Sequence, residues 1–276
     1  MNFKIVSDCS SNVLQLSQVP FASAPLTIVA GSHTFVDDAE LDVAAMTAEL
    51  KNHKGKSSTA CPGPQDWLTA FGDAEAVICV TITSGISGAY NAAKIAAHDY
   101  EELHPGRRVF VLDTLSTGPE MQLIVEKAEE LILSGMDFDA IAEALTGYAR
   151  QTHLIFSLCS LHNFVMNGRV NPALGAIVGL LNIRVIGCAS AKGELEPIAK
   201  TRGDKKALQA LLTAMRERGF NGGKVRLAHS NNELLAQTMR DLILTEWPGA
   251  DISMEANRGL CSYYCEEGGL LVGFEG

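Results

Sequence analysis

Ala76-Val77-Ile78-Cys79-Val80-Thr81-Ile82 followed by Thr83-Ser84-Gly85-Ile86-Ser87-Gly88-Ala89-Tyr90 is the stretch on which the reading of this chain turns. The first seven residues are an apolar, β-branched run of strand type, and beyond the second block Ala92-Ala93-Lys94-Ile95-Ala96-Ala97 has helical texture. A buried strand, a Ser/Gly turn and a helix therefore follow one another directly, as in α/β architecture. Such a turn offers hydroxyls and free N–H groups at the positive end of a helix, where an anion can be held without a cationic side chain.

Outward from that unit the alternation continues. Phe3 to Val6, Leu26 to Ala30 and Arg108 to Leu112 read as further strands; Ala39 to Asn52, Gln65 to Phe71, Tyr90 to Leu103 and Pro119 to Leu133 read as helices. Gly135 stops the last of these, and Asp137 starts another over Asp139 to Thr152. After His153 the texture changes. Leu154 to Leu158 reads as a strand, Asn171-Pro172-Ala173 as the opening of a short apolar helix, and Arg184 to Ala189 pairs with Leu195 to Lys200 as a hairpin across Lys192-Gly193. Helices over Asp204 to Arg218 and Asn231 to Trp247, a strand over Lys224 to His229 and a closing strand over Leu270 to Phe274 complete the pattern. The expected fold is α/β in two domains. Residues 1–160 form a three-layer α/β/α domain with a mainly parallel sheet that carries the anion-binding loops, and residues 161–276 form a two-layer α/β domain with a mixed sheet.

Composition limits what the turn could hold. The 276 residues are 47% hydrophobic but only 6% aromatic, and 22 basic against 32 acidic residues leave a net charge of −10. That balance argues against nucleic acid or an anionic membrane surface as partner. The longest clean apolar stretch, Leu174 to Leu181, is far short of the ~20 residues of a membrane span. The N-terminus opens directly on a strand-like run, which reads as cytoplasmic. Seven cysteines with no C-x-x-C pair fit reduced thiols, and Cys261 and Cys265 read as small buried hydrophobes rather than zinc ligands. The histidines have no metal-ligand spacing, so no metal is expected.

The residues also carry a family resemblance. Lys4-Ile5-Val6-Ser7-Asp8-Cys9-Ser10-Ser11, Thr59-Ala60-Cys61-Pro62-Gly63-Pro64, Thr83 to Tyr90, Asp113-Thr114 with Gly118, Asn167-Gly168-Arg169-Val170, and Ile198 to Arg202 with Lys205-Lys206-Ala207 resemble, in order, the motifs of the DegV family. The resemblance implies a two-domain carrier, not a catalyst, that binds one long-chain fatty acid between its domains and can present it to a separate fatty-acid kinase. It implies no cofactor beyond that ligand. By the same match Thr59 and Ser87 are the carboxylate ligands, with Ser84, Ala60 and Gly88 beside them, and Arg169, Tyr264 and Arg202 stand at the head-group entrance. This chain departs from the family where Ala60 replaces serine, where Cys61 replaces glutamine, and where Tyr264-Cys265-Glu266-Glu267-Gly268 replaces His-x-Gly-Pro-Gly. Two added acids so close to a bound anion would repel it unless they point elsewhere.

The acyl chain is expected against Leu158, Leu161, Phe164, Val165, Leu174, Ile177, Val178 and Leu181, where each buried methylene contributes ~0.8 kcal/mol. One rival reading uses the same serine. Gly85-Ile86-Ser87-Gly88-Ala89 differs from a G-x-S-x-G nucleophile elbow only at Ala89, and Asp113 and His229 follow in α/β-hydrolase order, although no oxyanion-hole motif accompanies them.

Overall fold

A computed structural model describes residues 1–171 and 182–276. The first part of the chain forms β1 (Phe3–Asp8), β2 (Phe21–Ala24), β3 (Thr27–Ala30), β4 (His33–Val36), α1 (Val43–Asn52), β5 (Ser57–Ala60), α2 (Pro64–Phe71), β6 (Ala76–Thr81), α3 (Ala89–Leu103), β7 (Arg108–Asp113), α4 (Pro119–Leu133) and α5 (Phe138–Ala149). Strands β2-β1-β6-β7 make one all-parallel sheet. All six residues of β6 are buried, which is why its sequence is a continuous apolar run rather than an alternation. Helix α3 turns Ala89, Ala93, Ala96, Ala97 and Tyr100 inward at helical spacing and leaves its charges outside.

Helix starts follow local chemistry. Asp137 Oδ1 accepts from Ala140 N at 2.9 Å to begin α5, and Asp42 Oδ1 accepts from Ala45 N at 2.9 Å to begin α1. The second cap places the start of α1 at Val43, four residues after the Ala39 expected from composition. The expected strand at Leu26 to Ala30 is present as β3, but it lies in a separate antiparallel sheet, β4-β3-β5. Pro25, which has no N–H to give a ladder, stands between it and β2.

The second part contributes β8 (Thr152–Leu158), α6 (His162–Met166), β9 (Ile183–Ala189), β10 (Leu195–Arg202), α7 (Asp204–Glu217), β11 (Lys224–His229), α8 (Glu233–Glu246), β12 (Asp251–Ala256), α9 (Gly259–Cys265) and β13 (Leu270–Glu275). Its six-stranded mixed sheet runs β10-β9-β8-β13-β11-β12, antiparallel except for β11 with β12. Because β8 pairs with both β13 and β9, the second sheet begins at Thr152 rather than near residue 160. No linker separates it from α5. The hairpin forms as expected, and its outer strand β10 is an edge strand among the described residues, with a register shift between Pro197 and Ala199. The expected helix at Asn171-Pro172-Ala173 falls largely outside the described residues.

One face of the second sheet packs on α7 and α8, where Leu208, Leu211, Leu212, Met215, Met239 and Ile243 meet Ile155, Val225, Val272 and Phe274. The opposite face meets the first domain. Gly273 of β13 lies so close to α4 that a Cβ there would stand 2.4 Å from Glu120 N. Beyond α4, the remainder of that face, including Leu154, Phe156, Leu158 and Leu271, turns toward a space between the two sheets. Helix α9 crosses back over the first domain, where buried Asp37 accepts from Gly259 N at 3.0 Å and Leu260 N at 2.7 Å. No helix among the described residues is long and apolar enough to cross a membrane.

Candidate functional site

The space between the sheets is a cavity of about 320 Å³, within the ~300–1,000 Å³ common to small-molecule sites. Its apolar wall comes from Leu26, Ile82, Leu154, Phe156, Leu158, Leu260 and Leu271. Cys188, Cys261 and Cys265 complete that wall. They are buried, Cys261 Sγ donates to Ser10 O, and burial pushes the Cys265 thiol up to about 12. Cys261 and Cys265 are thus neutral packing groups.

At the other end the lining becomes polar. Thr59 and Ala60, the last residues of β5, and Cys61 just beyond them face Ser87 and Gly88 at the start of α3. Cys61 Sγ would lie 3.3 Å from a Cβ on Gly88, a tight contact that shows how closely the two segments approach. Ser87 Oγ accepts from Ala89 N at 3.2 Å, and the other first-turn amides of α3 have no carbonyl within the helix to bond. Thr59 Oγ1 lies 2.8 Å from Tyr264 Oη. Tyr264 is held between Phe164 and Tyr263, with ring centroids 4.7 and 4.9 Å away, and Tyr263 Oη contacts both Ser57 Oγ at 2.7 Å and Asn167 Nδ2 at 2.9 Å. The Tyr264 phenol is therefore fixed by packing and aimed at Thr59.

Two buried carboxyls support this end from below. Asp8 accepts from Ile82 N at 2.7 Å, immediately before the turn, and from the amide and hydroxyl of Ser10; desolvation raises it to about 6. Glu120 accepts from Ser116 Oγ and, at 2.9 Å, from Thr152 Oγ1, joining a cavity-lining loop of the first domain to β8; desolvation raises it to about 7.

The expected site residues divide in three. Thr59, Ala60, Ser87, Gly88, Phe164, Arg169 and Tyr264 all line the cavity, as does Leu158. Ser84, Arg202, Leu161 and Val165 do not. The Ser84 amide bonds Asp113 Oδ1 at 3.0 Å, which turns the residue outward, and Arg202 lies on the exposed row of β10 at the end away from the lining residue Leu195. Leu161 is buried beside the cavity in the packing of Leu158 and Phe164. Helix α6 presents Phe164 to the cavity and so carries its neighbour Val165 aside. Leu174, Ile177, Val178 and Leu181 lie outside the described residues.

The two added acids point elsewhere. Glu267 pairs with Lys51 Nζ at 2.8 Å, and Glu266 Oε1 accepts from Asn163 N at 3.1 Å at the start of α6. The hydrolase reading also fails on geometry. Asp113 Oδ1 accepts from the Ser84 and Leu115 amides, His229 Nδ1 accepts from Asn232 N on the second sheet, and the described lining contains no histidine. Ser87 has no base.

Comparison with known proteins bears on the family and the fold. The DegV family model matches residues 2–274. A DegV domain-containing protein of Streptococcus pneumoniae is 42% identical over 100% of this chain and 99% of its own. Among solved structures, the Streptococcus pneumoniae Fatty Acid Kinase (Fak) B3 protein loaded with linoleic acid superimposes with a TM-score of 0.98 at 42% identity, over 100% of this chain and 99% of that one. A DegV family protein of Eubacterium eligens loaded with heptadecanoic acid gives 0.97 at 42% identity, over 99% of each. This chain belongs to the DegV family.

Proposed function

We propose that the protein binds one long-chain fatty acid, with its carboxylate on Thr59 and Ser87 and its acyl chain along the wall formed by the second sheet and α9. The observation that carries this reading is the polarity of a single cavity: aliphatic along one wall, and closed at one end by neutral hydroxyls at a helix N-terminus. A carboxylate there stays ionised through charge-assisted hydrogen bonds of ~1.5–3 kcal/mol each, without a lysine. The likeness to proteins loaded with linoleic and heptadecanoic acid supports the ligand class.

The role is that of a carrier rather than an enzyme, and a fatty-acid kinase is the partner suggested by the likeness to a fatty acid kinase component. Native mass spectrometry of the gently purified protein should show a retained fatty acid. A protein that is apo and stays apo after incubation with C14 to C18 acids would overturn the reading. The carrier role is tested by acyl-phosphate formation with a fatty-acid kinase, which should require this protein, while a fluorophosphonate probe should leave Ser87 unlabelled.

A further inference from the structure

The turn that carries Ser87 is not held by its own domain alone. Thr83 opens it and is 2% exposed; its amide donates to Ser116 O at 2.9 Å. Its hydroxyl makes two bonds at once, accepting from Gly85 N at 3.0 Å and donating to Gly193 O at 2.9 Å across the domain interface. A hydroxyl has one proton to give, and Thr83 spends it on the tip of the β9–β10 hairpin.

The fit around this bond leaves no slack. A Cβ on Gly193 would fall 1.8 Å from Thr83 Oγ1, and a Cβ on Gly85 would fall 2.5 Å from Lys192 O. Gly193 also has φ +72°, a conformation suited to glycine. Thr83, Ile86, Ser87, Gly193 and Glu194 line the same cavity, so the bonded hairpin stands beside the serine hydroxyl rather than at a remote contact.

We propose that Thr83 is a positioning residue for the carboxylate seat, and that the seat is complete only when the hairpin of the second domain is docked on it. The inference rests on the fatty-acid reading above and deepens it. The Gly85 amide is bonded by Thr83, and Ser87 lies two residues further along the same turn, so the direction of the Ser87 hydroxyl depends on a bond that the second domain completes. Loss of that bond leaves the buried Gly193 carbonyl and the Gly85 amide short of a partner and frees the turn.

The test compares a fatty acid with the fatty alcohol of equal chain length, each measured by displacement of a fluorescent fatty acid. Thr83→Val, which keeps the shape and removes the hydroxyl, should weaken the acid about tenfold and the alcohol by less than about twofold. Most of the change should lie in the dissociation rate. Thr83→Ser should restore acid binding. Should Thr83→Val fail to fold, Thr83→Ala, which removes the hydroxyl without setting a methyl against the Gly193 carbonyl, should give the same acid-selective loss. A variant that weakens acid and alcohol alike, or neither, overturns the positioning role while leaving the carrier reading in place. Wild-type protein that binds no fatty acid overturns the carrier reading, and this inference with it.

Discussion

The two ends of the cavity are built in opposite ways. The polar end draws mainly on two short pieces of the first domain, Thr59 to Cys61 at the close of β5 and Ile86 to Gly88 before α3, joined by Tyr264 of α9 and braced by the hairpin at Gly193. The apolar wall is assembled from single residues of distant strands and a helix: Ile82, Leu154, Phe156, Cys188, Cys261 and Leu271. A seat for a charge needs several donors in fixed directions, which a single turn supplies locally. A wall needs only apolar volume, which any strand face can supply. The polar end should therefore set orientation and the wall should set most of the affinity.

The largest test of that division lies in the ligand. Lengthening the acid from C12 to C18 adds six methylenes, and at ~0.8 kcal/mol each the gain approaches ~5 kcal/mol if the wall accepts all of them. Titration across a saturated series measures it; affinity that stops rising before C14 would show that the wall does not follow the chain. Next come the hydroxyls. Ser87→Ala and Thr59→Val should each cost ~1–3 kcal/mol of fatty-acid binding while the melting temperature holds, and unchanged affinity in both would remove the carboxylate from this end.

A third effect concerns stability rather than affinity. Glu120 is raised to about 7 and Asp8 to about 6, both by burial, so the folded protein holds their protons more tightly than the unfolded chain does. Stability from these groups is complete below their ordinary carboxylate range and is lost as pH rises through about 6 and then about 7. Melting temperature should accordingly fall between pH 5 and pH 8 as these two carboxyls ionise, and Glu120→Gln should flatten the upper part of that fall. A Glu120→Gln curve parallel to wild type would show that Glu120 ionises without cost. The smallest effect belongs to Glu267→Gln. Its carboxylate faces Lys51 at the surface, so fatty-acid affinity should change by less than about twofold. A large gain would mean that the acid acts on the ligand after all.

The same contrast explains what could be read in advance. Helix α4 was expected at Pro119 to Leu133 and forms over those residues, because Gly118 and Pro119 mark its start and its apolar spacing is regular. The hairpin at Lys192-Gly193 was legible for a similar local reason. Strands β5 and β12 were not, since Ser57–Ala60 and Asp251–Ala256 are short, half-exposed and polar, and only their neighbours make them strands. Helix α9 has no apolar period to betray it, and its start depends on Asp37, more than 200 residues earlier. At the site, Thr59 and Ser87 could be named from motifs. Thr83 has no signal of its own in the sequence, because its partner is a backbone carbonyl in the other domain. The alternation of Leu154, Phe156 and Leu158 could have signalled a strand face turned to a cavity, but Ile155 and Ser157 between them are equally buried on the other face, and the two faces cannot be told apart without the helices that cover one of them.

The edge strand β10 carries a last consequence. An exposed strand is a template on which a second chain can add, and this one borders a six-stranded sheet. Pro197 withholds one N–H from any incoming strand, the register shift beside it bends the edge, and Lys200 and Arg202 project from its exposed row. The β10 border is thereby a poor template for strand-by-strand growth, so copies of this chain should not add to one another along that side of the sheet.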